Sequence, residues 1–235
     1  MRILVTRPPP DAKRTAAALR ARGHEPILAP LFNIETIPEA DWGAGPWTAV
    51  LVTSANAVRA IAGHARLAEL EGIAAYTVGA RTAGAMREAG FANVTSANGD
   101  VNDLAKLVAI QIEPPGRLLY LAGEERSGDL AGMLRAKGFA VHTVLVYRAA
   151  VVESLPAEAV AALAAGLDGV LHFSRRSAEA YVNAARCAGL ADQSLREPVQ
   201  FCLSARVAEP LQRAGAAKIR IAARPDEAAF LDLCG

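Results

Sequence analysis

Polar, cationic and very small residues follow the predicted strands of this 235-residue chain, at the points where helices would begin. In open parallel sheets these carboxyl-end corners are where ligands bind. The first turn of a helix there exposes backbone N–H groups and the positive end of the helix dipole, and both attract anions. The corners therefore predict binding of carboxylates or phosphates. The candidate residues are Arg7, Thr53, Ser54, Gly79, Arg81, Thr82, Gly123, Arg126, Ser127, Ser174, Arg175, Ser204 and Arg206.

Each corner residue also has a structural interpretation. Ser54 and Ser174 are residues of the type that caps helix N-termini, and a corner arginine can be solvated or held in an ion pair on a helix face. The recurrence of arginine, serine and threonine at corners in both halves of the chain favours a binding role.

Familiar cofactor and nucleophile motifs do not occur in the sequence. Gly79-x4-Gly84 and Gly123-x4-Gly128 lack the Lys-Ser/Thr of a P-loop, no G-x-G-x-x-G follows a strand, and there is no G-x-S-x-G. The histidines stand at no metal-ligand spacing. We therefore expect a protein that binds a small polyanion with no metal and no cofactor, and this reasoning leaves the reaction open.

The elements that must position these corners alternate along the chain. Short apolar runs are separated by helical stretches, which is typical of βα units in a parallel sheet and predicts an α/β fold. The predicted strands are Arg2–Thr6, Pro26–Ala29, Ala49–Thr53, Ala75–Val78, Arg117–Leu121, Val141–Val146, Gly169–Phe173, Val199–Leu203 and Lys218–Ala222.

Three types of segment each occur twice, in the same order, which indicates an internal duplication. Each pair contains a strand next to a corner or a helix end. The pairs are AVLVTSANAVRAI (49–61) with GVLHFSRRSAEAY (169–181), YTVGARTAGAM (76–86) with FCLSARVAEPL (201–211), and LRARGHEPIL (19–28) with LRAKGFAVHT (134–143).

The duplication allows two domain arrangements. A tandem would place the boundary near residue 110, whereas a swapped arrangement has the chain leave the first domain, build the second, and return. The alternating segments LFNIETIP (31–38) and VYRAAVVESLP (146–156) can pair as a two-stranded bridge, which favours the swapped form. We predict two doubly wound parallel-sheet domains: a discontinuous one over 1–33 and 151–235, one over 38–146, and connecting strands at 34–37 and 147–150.

Composition and charge narrow the class of protein. The net charge of +1 comes with no basic run, which argues against nucleic-acid binding. The three cysteines lack C-x-x-C spacing and are expected to be structural thiols of a reducing compartment. The apolar runs are too short to span a bilayer, and a strand-like segment begins directly after Met1. We expect a soluble cytoplasmic protein.

Taken together, the corners resemble the uroporphyrinogen-III synthase family across essentially the whole chain. The segments that carry the resemblance are ILVTRP (3–8), LRARG (19–23), LVTSANAV (51–58), YTVGARTA (76–83), LYLAGEERSGDLAGMLRAKG (119–138), VLVYRA (144–149), LHFSRRSAEAY (171–181) and ARPDEAAFLDL (223–233). The resemblance implies two α/β domains joined by two strands, with the first domain discontinuous. It implies a substrate, hydroxymethylbilane, that is a linear tetrapyrrole with eight carboxylates. The expected reaction removes its terminal hydroxyl, inverts ring D and closes the ring to uroporphyrinogen III, without metal or cofactor and in a monomer.

Several residue roles follow from the resemblance. Tyr147 matches the family's tyrosine that faces the cleft, where it would act as an acid or orient the departing hydroxyl; its structural interpretation is a strand tyrosine with a hydrogen bond. Ser54, Gly79, Thr82 and Ser174 match binding positions that act mostly through backbone N–H groups.

The chain departs from the family at three places. Ser204 and Val207 stand where the family usually has Gly and Thr, and Arg126-Ser127 stand where it usually has Gly-Arg. These differences keep two alternatives open: a non-catalytic binder of tetrapyrroles or polycarboxylates in the same fold, and an unrelated doubly wound enzyme for a phosphorylated metabolite.

Overall fold

The structure is a computed structural model that describes residues 1–126, 128–224 and 226–235. Ser127, a candidate corner residue, and Pro225 lie outside the described residues. The strands run over Arg2–Val5 (β1), Glu25–Leu28 (β2), Phe32–Thr36 (β3), Ala49–Val52 (β4), Ala74–Thr77 (β5), Val94–Ser96 (β6), Arg117–Gly123 (β7), Ala140–Val151 (β8), Gly169–His172 (β9), Val199–Cys202 (β10) and Ile219–Ile221 (β11).

Helices separate most of these strands, as βα units require. They run over Asp11–Ala21 (α1), Ala55–Ile61 (α2), Ala80–Glu88 (α3), Val101–Gln111 (α4), Leu130–Arg135 (α5), Ala157–Ala164 (α6), Arg175–Cys187 (α7), Ala191–Arg196 (α8), Ala205–Arg213 (α9) and Glu227–Leu231 (α10), with a final 3₁₀ turn at Asp232–Cys234.

The chain divides into two compact units. Met1–Asn33 and Ala150–Gly235 form the discontinuous unit, and Ile34–Ala149 forms the continuous unit. The chain crosses between them along β3 and β8, which are neighbours in one sheet. Val152 N–H donates to Leu31 O over 2.9 Å and Ile37 N–H donates to Val146 O over 2.9 Å, so the two strands run antiparallel.

The sheet of the discontinuous unit has the order β11-β10-β9-β1-β2, with parallel pairing throughout. The chain runs outward from β1 to β2 on one side and from β9 to β11 on the other. The strand order therefore reverses between β1 and β9, the place where doubly wound sheets bind ligands. Helices α1 and α10 pack on this sheet through a core that includes Leu19 and Phe230.

The sheet of the continuous unit has the order β3-β8-β7-β4-β5-β6, and β4 to β8 pair in parallel. Its strand order reverses between β4 and β7. Val50 and Val52 of β4 pack against α2 and α3, whereas Ala49 and Leu51 pack against α4 and α5. Because successive side chains of a strand point to opposite faces, helices cover both faces of this sheet.

The predicted α/β class with parallel sheets is confirmed. Strand β6 was not predicted, because Val94–Ser96 is a three-residue edge strand with no buried residue to produce an apolar run. Strand β8 is longer than predicted: Ala140–Val151 joins the predicted strand Val141–Val146 to the first half of the segment interpreted as a bridge.

Candidate functional site

The point where strand order reverses in the continuous unit carries a pair of hydroxyl groups. Thr53 directly follows β4, and its Oγ1 lies 3.0 Å from the hydroxyl of Tyr120 on the neighbouring strand β7. Only 1% of Tyr120 is exposed. Burial raises the pKa of Tyr120; the hydrogen bond with Thr53 and the charge of Arg126 oppose this shift, and Tyr147 adds to it. Tyr120 is therefore a neutral buried phenol that fixes Thr53.

A cavity of about 340 Å³ opens beside Thr53 at the carboxyl ends of β4 and β5. Its lining residues are Thr53, Val78, Gly99, Asp100, Val101 and Asn102. The Asp100 carboxylate already caps α4, accepting from Asn102 N–H over 2.7 Å and from Asp103 N–H over 3.1 Å. Hydrogen bonds from the Asn102 side chain and from these N–H groups lower the pKa of Asp100. The α4 terminus is thus occupied by the protein's own carboxylate.

Tyr147 lies on β8 at an irregularity in the pairing with β7. The register shifts between Ala122 and Gly123, which places Gly123 opposite Tyr147. Glu124 N–H donates to Tyr147 O over 2.9 Å and holds the tyrosine backbone. The half-buried ring packs against the core that contains Val144 and Leu121.

The first turns of α3 and α9 share an unusual feature. Gly79 and Ser204 stand at their N-caps with extended backbones, and neither provides a side-chain cap within the part of the chain the structure describes. The second residue of each helix is an exposed arginine, Arg81 or Arg206. Because the first N–H groups of a helix have no intrahelical acceptor, these two corners present donors and positive charge together.

The next position in both helices points inward. Thr82 of α3 is 6% exposed and Val207 of α9 is 5% exposed. Valine has nearly the shape of threonine, so Val207 fills the same kind of buried space without a hydroxyl. The departure from the family pattern at this position is thus accommodated by packing.

The two serine corners are occupied by capping. Ser54 Oγ accepts from Asn56 N–H over 3.1 Å at the start of α2. Ser174 Oγ accepts from Ser177 N–H over 3.1 Å, and Ser177 Oγ accepts from Ser174 N–H over 3.1 Å, which completes a capping box at α7. The structural interpretation of both serine side chains therefore applies.

Two of the candidate arginines are held by carboxylates. Arg7 lies 3.3 Å from Asp11 and 3.1 Å from Glu227, with its guanidinium 4.1 Å above the Phe173 ring. Burial alone would raise the pKa of Glu227, but Arg7 and Arg14 outweigh it and lower that pKa.

Arg175 lies 2.9 Å from Glu179 and 3.5 Å from Glu209, and the second contact joins α7 to α9. Both Arg7 and Arg175 are therefore already largely neutralised. Arg126 is exposed after β7, near enough to Tyr120 to affect its pKa.

Tyr120 is the site residue that sequence reasoning missed. In LYLAG it looks like a core residue of an apolar strand. The available signal was its hydroxyl, since a buried tyrosine needs a polar partner. Among the described residues there is no cluster of three metal-ligating side chains, and no helix is long and apolar enough to cross a membrane.

Comparison with known proteins identifies the family. The sequence model of the family described as uroporphyrinogen-III synthase HemD matches residues 13–232. The chain belongs to the uroporphyrinogen-III synthase family. No curated protein matches the sequence.

Solved structures share the fold of this family member. A uroporphyrinogen-III synthetase from Helicobacter pylori is 20% identical with a TM-score of 0.69, and the match covers 100% of this chain and 98% of that one. A mutant uroporphyrinogen III synthase from the extremely thermophilic bacterium Thermus thermophilus is 17% identical with a TM-score of 0.54, covering 100% and 96%. At these identities the likeness concerns the fold.

Proposed function

We propose that the chain works as a uroporphyrinogen-III synthase, a cyclising lyase of tetrapyrrole biosynthesis that converts hydroxymethylbilane to uroporphyrinogen III with loss of water. The single observation that carries this function is the family match over residues 13–232. The two compact units act as its two substrate-binding domains, and the enzyme is a cytoplasmic monomer.

The corners bind the eight carboxylates of the substrate. The starts of α3 and α9 support this role because no side chain among the described residues caps their first turns. A helix N-terminus contributes about 0.3–1 kcal/mol toward an exposed anion. Several such contacts, together with Arg81, Arg206 and Arg126, hold a flexible polyanion without a large net charge on the protein. Arg7 and Arg175 instead stabilise the corners, because carboxylates already hold them.

Ser54 and Ser174 take part through the geometry of their corners. Their hydroxyls order the first turns of α2 and α7, which leaves backbone N–H groups as the donors toward substrate. Thr53, fixed by Tyr120, offers a hydroxyl at the edge of the cavity between β4 and β5.

Tyr147 assists the chemical step. Its hydroxyl donates a proton to the terminal hydroxyl of the bilane as the C–O bond breaks, so that water leaves and an electrophilic methylene remains. The substituted carbon of ring D attacks this methylene and gives a spiro intermediate, whose rearrangement inverts ring D before closure. Holding ring D so that this carbon is the nearer nucleophile is a matter of positioning, which explains a site without an acid/base pair.

Product analysis tests the function. The protein is supplied with hydroxymethylbilane in the dark without oxygen, and the uroporphyrinogen isomers are separated. We expect predominantly isomer III. Isomer I alone, the product of unassisted closure, would support the alternative of a non-catalytic polycarboxylate binder in the same fold.

A further inference from the structure

Gly123 and Tyr147 lie opposite each other where β7 and β8 change register. We propose that Gly123 is a positioning residue: the missing side chain at 123 sets where the Tyr147 hydroxyl lies. The inference deepens the proposed function and rests on it, since it gives Gly123 a role through Tyr147 in place of a direct contact with substrate.

The argument begins with the space above Gly123. A Cβ at this position would lie 2.5 Å from Tyr147 Cζ, 2.7 Å from its hydroxyl oxygen and 2.8 Å from Cε1. Ordinary contact between carbon atoms is about 3.5–4.0 Å. The far edge of the tyrosine ring therefore occupies the volume that any other residue at 123 would need.

The backbone of Gly123 does not itself require glycine. Its φ is outside the left-handed range that glycine adopts elsewhere in the chain, for example at Gly138. An L-residue would meet no backbone strain at 123, so the ring of Tyr147 is the constraint.

An added methyl group would displace the ring and leave the strands in place. The Tyr147 backbone is held by the hydrogen bond from Glu124, and β7 and β8 pair along their length. The clashing atoms are the free end of a side chain, which moves at low cost. Restoring ordinary contact distances moves the hydroxyl by about 1 Å. A misplacement of this size is enough to lower a rate by about 100-fold.

The test is a double-mutant cycle on turnover with Gly123→Ala, Tyr147→Phe and the double variant. We expect Gly123→Ala to lower kcat by about 100-fold with little change in KM. The double variant should be no slower than Tyr147→Phe alone, because the methyl group then has no catalytic hydroxyl to displace. Effects that multiply in the double variant would overturn the proposal, since Gly123 would then act independently of Tyr147.

Gly84→Ala is the matched control. Gly84 lies within α3 of the same unit, and a Cβ there meets nothing within 4 Å. We expect this variant to retain wild-type kcat and to fold at least as stably. A loss in Gly84→Ala equal to that in Gly123→Ala would also contradict the proposal.

A second readout separates this inference from the function itself. With ¹³C-labelled tyrosine rings, the Tyr147 signal is assigned by its loss in Tyr147→Phe. Gly123→Ala should shift this signal and leave that of Tyr181 unchanged. If wild-type protein forms no isomer III, the proposed function fails, yet the ring shift still tests the positioning. An unmoved Tyr147 signal would overturn the positioning whatever the activity.

Discussion

At the scale of single residues, a hydroxyl that moves a proton and hydroxyls that hold structure occur side by side. Tyr120 is buried and committed to Thr53. Tyr147 is half-buried on a fixed backbone, with its ring over Gly123. This contrast makes Tyr147 the tyrosine of this cluster suited to reach a substrate.

Removing the Tyr147 hydroxyl should therefore affect chemistry more than folding. In Tyr147→Phe we expect turnover of hydroxymethylbilane to fall by about 10²–10⁴-fold, the usual contribution of a positioned proton donor. Binding of substrate, measured by single-turnover titration, should stay near wild type because the corners carry it. Wild-type turnover in this variant would return Tyr147 to a structural role.

Residue-level roles were the hardest part of the site to predict. The sequence places Arg7 and Arg175 at corners, but their carboxylate partners Glu227 and Glu209 are 220 and 34 positions away along the chain. Pairing at such separations is decided by tertiary packing, so local sequence has no signal for it. The hydroxyl partner of Tyr120 is hidden for the same reason.

At the scale of elements, corners that look alike in sequence differ in how their first turns are capped. Helix α7 is closed by the Ser174–Ser177 capping box, whereas the side chain of Ser204 makes no capping bond to the described residues of α9. The same residue type thus stabilises one helix and leaves the other open to an anion.

This difference predicts unequal costs for the same substitution. Ser174→Ala should lower the free energy of unfolding by about 1 kcal/mol, because a helix N–H loses its acceptor. Ser204→Ala is the matched control and should cost a few tenths of that, since no capping bond is lost. Urea unfolding of both variants measures the difference, and equal losses would show that Ser204 also caps.

Element types were predictable because apolar runs and corner residues alternate with clear spacing. The strand β4, AVLV, is buried at all four positions and was read directly from its composition. Strand ends were less certain: Thr53 and Phe173 were predicted within strands but fall just outside β4 and β9. A strand ends where its ladder stops, which depends on the neighbouring strand.

At the scale of the whole molecule, folding and function place different demands on polar groups. The discontinuous unit buries His172 completely, with Nε2 donating to Gln200 Oε1 over 2.8 Å and Nδ1 without a partner among the described residues. Burial lowers the pKa of His172 to about 4, against a smaller opposing effect of Gln200. The folded state therefore keeps this ring neutral.

Stability should fall in acid for this reason. The unfolded chain binds a proton at His172 near its ordinary pKa of about 6.5, whereas the folded chain does so near pH 4. The contribution is complete above about pH 6.5 and is lost as the pH falls toward 4, by on the order of 3 kcal/mol. His172→Gln should flatten the pH dependence of the unfolding free energy across this window. An unchanged slope would mean that other groups dominate it.

The central claim is that a scaffold with open, amide-rich helix starts directs a polycarboxylate toward one of two ring closures. The most direct measurement is the ratio of isomer III to isomer I as protein concentration is raised against a fixed amount of hydroxymethylbilane, with heat-denatured protein as the control. The account predicts a ratio that climbs with native protein until isomer III dominates. A ratio that stays at the value of the denatured control, over concentrations at which substrate binding is detected, would contradict it.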